Sequence, residues 1–263
     1  MRNYFLMGCF CLLLPACMGG EARQEEQAAD TLADTQWLQG GWLDDNTESP
    51  VFKIKGDSIY YASQINAPLK YDLKNDTLTI YGVETVHYPL ERCQEQALQF
   101  RTPVGDMVSL HKSDNDSAFV ALSVTGPEKK EVISKDLAVM YQGKRYRGYV
   151  YINPTSIKVV RPSLTEEGLT MDNVYYDNVI HICVYQGKQR LYAKDITRQM
   201  FSSVVPDDYL KMSILSDMDF IGVDAEGYHY LATLCIPDGA SCYNVELTID
   251  RDDQLSFSSA DVE

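Results

Sequence analysis

The chain has 263 residues, with 38 Asp and Glu against 23 Lys and Arg, for a formal charge of −15. Such a surface repels phosphate backbones and anionic headgroups, which argues against nucleic acid as a partner. A hydrophobic content of 45% supports a real core and argues against a disordered chain.

Met1 to Ala16 reads as a short export signal. Arg2 supplies its positive start, Tyr4 to Leu14 is an apolar run broken only by Gly8, and small Ala16 closes it. The run is well short of the ~20 apolar residues that a spanning helix needs. Leu14-Pro15-Ala16-Cys17 resembles the lipobox of bacterial lipoproteins. The resemblance implies that Cys17 is acylated, with palmitate or similar chains, and becomes the first residue of the mature protein. At ~0.8 kcal/mol per buried methylene, several chains make a durable anchor. The expected location is the bacterial cell envelope, at the outer membrane, with the periplasmic or surface face left open. Residues 17–36 form an acidic flexible tether, in which Glu21, Glu25, Glu26, Asp30 and Asp34 face only Arg23. This acidity resembles surface-export signals of Bacteroidota lipoproteins, although Glu25-Glu26 lies further from Cys17 than those signals usually do.

Residues 37–125 read as short alternating strands with tight turns. Folding about Gly56-Asp57 sets Ile54 opposite Ile59 and Phe52 opposite Tyr61, with Lys53 and Lys55 on the other face. Tyr71 and Leu73 likewise match Leu78 and Ile80, and Leu98 and Phe100 match Val108 and Leu110. A run from Ala118 to Val124 completes about eight strands, which predicts an up-and-down barrel or a sandwich. Gly40-Gly41-Trp42, just ahead of these hairpins, resembles the Gly-x-Trp signature that opens the first strand of lipocalin-like barrels. In that fold the tryptophan packs across the closed end and an arginine pairs with it; the sequence offers no evident arginine for that role. Phe52, Tyr61, Tyr71 and Phe100 share the inferred inward face. They are the candidate lining for a small apolar ligand, unless side chains fill the interior.

Gly126 to Glu131 gathers turn formers and charges and marks a boundary. Residues 131–263 read as a second β-rich domain with one helix near 195–204. Its apolar stripe is Ile196, Met200, Phe201 and Val204, with Asp195 at the start and Pro206 as the stop. Tyr228, Tyr230, Ala232 and Leu234 alternate with polar neighbours, as do Tyr243, Val245, Leu247 and Ile249. Asp238-Gly239 between them is a strong hairpin turn. Folding there pairs Ile236 with Ser241 and sets Cys235 opposite Cys242 on the outer face, so the two cysteines are predicted to form a disulfide. Cys93 and Cys183 have no such register. Residues 135–258 resemble uncharacterised lipoprotein domains of Bacteroidota, and this implies a fold without an activity.

The 18 Tyr against 8 Phe and 2 Trp are first a strand signal, with carbohydrate stacking as the alternative. No nucleophile elbow, His-Glu-x-x-His, P-loop or Cys-x-x-Cys occurs, so no catalytic, metal or cofactor site is assigned. His181 with Cys183 lacks further ligands for zinc. Asp250, Asp252 and Asp253 lack the glycine and the glutamate of a calcium loop. Asp207-Asp208 and Asp217 with Asp219 are the only candidates for an acid/base pair, so an enzyme is not expected. The resulting expectation is a mainly β, lipid-anchored binding module with two β domains. Its partner is a small apolar molecule, a glycan or another envelope protein. The alternatives are an assembly accessory and, less favoured, a glycan-acting hydrolase.

Overall fold

The computed structural model describes residues 34–62, 67–115, 119 and 131–259. Cys17 lies outside them, as does most of the proposed tether. The protein is mainly β, with an eight-stranded closed barrel followed by two four-stranded sheets.

The barrel strands are β1 (Gly40–Asp44), β2 (Pro50–Lys55), β3 (Ser58–Tyr61) and β4 (Leu69–Lys74), then β5 (Thr77–Tyr81), β6 (Thr85–Gln94), β7 (Ala97–Arg101) and β8 (Met107–Lys112). The registers follow the hydrophobic alternation: Phe52 pairs with Tyr61, Ile54 with Ile59, Tyr71 with Ile80, and Phe100 with Val108. A one-residue slip would turn each apolar set outward, and this fixes the register. Closure differs from the sequence expectation. β8 returns to β1, with Trp42 opposite Lys112, so no strand at 118–124 is needed. Of that segment only Phe119 is described; it is buried and packs where a Cβ on Gly41 would stand, 2.2 Å from its ring. The eighth strand is β6, which the sequence hides because Pro89 interrupts an otherwise alternating run. Pro89 pairs only with Thr77, at the very start of β5, where a missing donor costs little.

The presumed tether also ends earlier than residue 36. Asp34 accepts the Gln36 amide at 2.9 Å and caps one helical turn, α1 (Thr35–Leu38), whose Leu38 is fully buried.

One sheet of the second region has the order β12 (Gln189–Ile196), β11 (Thr170–Gln186), β10 (Lys144–Leu164), β9 (Ile133–Tyr141). The other runs β13 (Ile214–Val223), β14 (Tyr228–Cys235), β15 (Cys242–Ile249), β16 (Leu255–Ser259). Val150, Ile152, Ile180 and Ile182 from the first sheet share one core with Met218, Tyr230, Leu234 and Leu247 from the second. The sheets come so close at Gly148 that a Cβ there would lie 2.1 Å from the Phe220 ring, so only glycine fits.

The predicted helix at 195–204 is not formed. Ile196 ends β12 opposite Ile180, a 3-10 turn covers Arg198–Phe201, and the helix α2 (Asp207–Met212) begins only after Pro206. Pro206 stands at the N-cap of a helix instead of stopping one: its carbonyl accepts the Leu210 amide at 3.0 Å, and its missing N–H is one that no bond of the helix needs. Of the predicted stripe, Ile196 and Phe201 are buried while Met200 and Val204 are only partly so, and the neighbouring Val205 is buried instead; a strand end and a tight turn serve such a pattern as well as a helix.

Candidate functional site

Phe52, Tyr61 and Phe100 do point into the barrel, and each is essentially inaccessible. Phe52 meets Tyr61 edge to face at 6.4 Å, and Phe100 meets Tyr88 at 5.6 Å. Such contacts are those of a packed core. Tyr71 sits at the rim, half-buried, where its hydroxyl donates to the Gly56 carbonyl at 3.1 Å and accepts from Gln39 Nε2 at 3.0 Å.

Both barrel ends are covered. At the end bearing the 56–57 and 75–76 turns, Trp42 donates its indole N–H to the Leu38 carbonyl at 2.9 Å. Lys112 lies over the Trp42 ring at 5.2 Å and donates to the Trp37 carbonyl. A lysine on the last strand thus supplies the cation that the Gly-x-Trp resemblance called for. Gly40 holds a φ of +116°, which only glycine adopts freely. At the opposite end the long β10–β11 hairpin reaches over from the second region. Leu169, at its tip, is fully buried in the barrel core. The Thr170 amide donates to the Tyr88 hydroxyl at 2.7 Å, and the Val83 amide donates to Asp172 Oδ2 at 2.8 Å. Tyr61 Oη and Asp172 Oδ1 are buried there without a partner among the described residues. Burial pushes the Tyr61 hydroxyl well above the ordinary phenol range, and the nearby Tyr88 and Asp172 add to it. No local pattern pointed to Leu169, because its partners lie some 80 residues away.

In the second region, Arg198 Nε pairs with Asp177 Oδ2 at 2.9 Å, both side chains being almost wholly buried. The guanidinium also donates to the carbonyls of Leu210 and Ser213, closing the end of α2, while Asp177 Oδ1 accepts the Leu215 amide at 2.9 Å. An open cleft of about 310 Å³ beside it is lined by Arg198, Gln199, Ser202, Asp207, Leu210 and Lys211. With Arg198 already committed to these partners, the cleft has no free buried charge to offer. Asp217 and Asp219 converge on Lys135 Nζ, at 2.6 and 3.0 Å, and exposed Asp208 pairs with Lys211. His181 Nδ1 lies 2.6 Å from Asp195 Oδ1, and Cys183 is buried, its thiol raised by desolvation. Among the described residues no three His, Cys, Asp or Glu side chains gather as metal ligands. Asp250 accepts the amides of Asp252 and Gln254, as a solvated hairpin turn does.

Cys235 and Cys242 form the disulfide read from the turn. They face one another across β14 and β15 with Cα atoms 4.2 Å apart, in the register Leu234–Tyr243, Ala232–Val245 and Tyr230–Leu247. Cys93 and Cys183 are free and buried.

The last arrangement is on the outside. Over residues 146–152 of β10 and 180–184 of β11 the even-numbered side chains face the core, so Tyr149, Tyr151, His181 and Tyr185 lie on the other face. The Tyr149 and Tyr151 rings lie parallel within 4°, with centroids 6.3 Å apart; Tyr185 stands edge-on to Tyr149, and His181 flanks Tyr151.

A family model described as a domain of unknown function, DUF4738, matches residues 112–257. The chain belongs to this family. Its matched span starts on the last barrel residue, Lys112, and takes in the whole two-sheet region as far as β16. The DUF4738 portion therefore includes the plugging hairpin, the buried ion pair and the tyrosine array. No curated protein matches the chain.

Proposed function

We propose that this protein is a lipid-anchored binding module of the bacterial cell envelope, held to the membrane through Cys17, which engages its partner through an outer surface. The barrel fold is compatible with a binding module, but the observation that carries the reading is the Leu169 plug. A hairpin from the DUF4738 region fills one barrel end while α1 and Lys112 cover the other, and inside, Phe52 packs on Tyr61 and Phe100 on Tyr88. An eight-stranded barrel has room for side chains or for one small ligand. Side chains take that room here, so the barrel acts as a scaffold and binding falls to the exterior. Placement at the outer membrane of a Bacteroidota-type cell rests on the Leu14–Cys17 motif and the acidic segment after it.

Two measurements test this. Replacing Cys17 with alanine is expected to abolish partition into a detergent phase; an alanine variant that still partitions overturns the anchor. Native mass spectrometry of gently extracted protein is expected to show the polypeptide and its acyl chains alone. A co-purifying apolar molecule displaced by Phe100→Trp would restore the barrel as the binding site.

A further inference from the structure

We propose that the outward face of the β9–β12 sheet, at the end bearing its two short turns, docks on the anionic surface of a lipid bilayer. This rests on the anchored reading above and names the face that the protein turns to the membrane. The first ground is where the chain leaves out its carboxylates. Asp and Glu number 38 in 263 residues, yet residues 137–165 and 178–194 contain none, while the first stretch carries five Lys and Arg and the second three. The fold brings these stretches together. Tyr141 pairs with Lys144, Tyr146 with Gln186 and Gln186 with Gln189, so the turns at Gln142-Gly143 and Gly187-Lys188 lie at one end of the sheet. Arg145, Arg147 and Arg190 stand there on the outward face, in the rows Met140–Arg145 and Ala138–Arg147–Tyr185–Arg190. A chain of formal charge −15 is repelled as a whole by an anionic surface, so it approaches one through a face of this kind and in one orientation.

The second ground is that these cations are unanswered. On the barrel and on α2 exposed cations are matched by carboxylates: Lys70 by Asp57, Lys74 by Asp72, Arg101 by Glu91 and Lys211 by Asp208. Lys144, Arg145, Lys188 and Arg190 take part in no ion pair or hydrogen bond among the described residues. Lys55, Lys158 and Lys194 are unpaired too, but each is opposite an uncharged residue in its own row, Ser58, Tyr176 and Ile182. Two carboxylates belong to this face. Asp136 lies 2.7 Å from Arg147, and Asp195 lies 2.6 Å from His181, further from the turns.

The third ground separates a bilayer from a polyanion in solution. A polyanion needs cations alone, whereas a bilayer also takes up rings and apolar stems at headgroup depth. Tyr149, Tyr151 and Tyr185 share the face with the arginines, and Met140, 66% exposed, lies beside Arg145. Tyrosine gathers at the membrane–water interface because its ring is apolar and its hydroxyl wet, and arginine meets phosphate with a bidentate fork. The same face therefore offers groups for both layers of an anionic lipid surface, the phosphates and the acyl boundary beneath them.

The test is tyrosine nitration of the full-length chain reconstituted in vesicles of phosphatidylcholine or of phosphatidylglycerol, mapped by peptide mass spectrometry. Phosphatidylglycerol is expected to lower nitration of Tyr149 and Tyr185 about fivefold or more, the factor that one cation near an anionic surface contributes. Tyr81, an exposed tyrosine on the barrel, is expected to react alike in both. High salt is expected to remove the difference, and so is Arg145→Glu/Arg190→Glu. Should that variant fail to fold, Arg145→Gln/Arg190→Gln is expected to shrink the difference. Soluble glycerol phosphate and polygalacturonate, added to phosphatidylcholine vesicles, are expected to protect neither tyrosine. Equal nitration in the two lipids, a difference that survives salt or both arginine variants, or protection by either soluble anion as strong as that by phosphatidylglycerol overturns the proposal. The anchor is read separately, by whether the chain stays on phosphatidylcholine vesicles at all, so the two failures are distinguishable.

Discussion

Two sites in the molecule, the plugged barrel end and the Arg198–Asp177 pair of the two-sheet region, treat buried polar groups in opposite ways. Around Arg198 and Asp177 nearly every polar atom is answered: the ion pair is bidirectional, and backbone carbonyls and amides take up the remaining donors and acceptors. At the plugged barrel end, Tyr61 Oη and Asp172 Oδ1 are buried and unanswered. The ion pair takes its partners from β11, α2 and the start of β13, whereas at the barrel end the β10–β11 hairpin answers Tyr88 and Val83 but leaves Tyr61 Oη and Asp172 Oδ1 without partners. Distance along the chain is not the whole rule, since Tyr192 Oη on β12 is likewise buried without a partner among the described residues.

The sharpest way to break this contrast is through the ion pair. Arg198→Ala leaves Asp177 buried and uncompensated, and is expected to cost about 3–5 kcal/mol in urea denaturation. Arg198→Met with Asp177→Leu removes both charges and is expected to cost clearly less; equal losses would mean that the pair acts only through packing. Next in size is Leu169→Ala, expected at about 2–5 kcal/mol by the range for buried leucines. Its signature is location. Hydrogen exchange is expected to rise in β5 to β7 of the barrel, although the mutation lies in β11's own hairpin; a rise confined to β10 and β11 would refute the plug.

A smaller, paired test compares hydroxyls. Tyr230→Phe removes a buried bond to the Cys183 carbonyl and is expected to cost about 1 kcal/mol, whereas Tyr61→Phe deletes an unanswered hydroxyl and is expected to be neutral or stabilising. A cost at Tyr61 equal to that at Tyr230 would show that the barrel hydroxyl has a partner after all. The smallest effect is electrostatic. The hydrogen bond from His229 holds the Asp224 carboxyl below its ordinary range, with the amides of Glu226 and Gly227 assisting. Its folded-state pKa being depressed, the contribution is present above the unfolded carboxyl value and fades as pH falls through the folded one. Because Asp224 is 56% exposed, solvent screens much of it. Asp224→Asn is expected to flatten the acid limb of stability against pH slightly, and an unchanged limb would assign the slope to other carboxyls.

Much of this molecule was legible in local alternation. The Gly56-Asp57, Asn75-Asp76 and Asp238-Gly239 turns fixed hairpin registers, and from the last of these came the disulfide between Cys235 and Cys242. Period-2 patterns and turn chemistry act over a few residues, so one sequence suffices to read them. β6 escaped because Pro89 weakens the pattern, and the helix at 195–204 was misplaced because an apolar stripe does not distinguish a helix from a strand end followed by a tight turn. Tertiary structure alone decided that β8 closes on β1, that Lys112 covers Trp42, that Leu169 plugs the barrel, and that Tyr149, Tyr151, His181 and Tyr185 meet on one outward face. Each of these joins residues from about 30 to more than 80 positions apart. Local propensity carries no information about such pairs; they are set by which surfaces remain to be buried once the hairpins have formed.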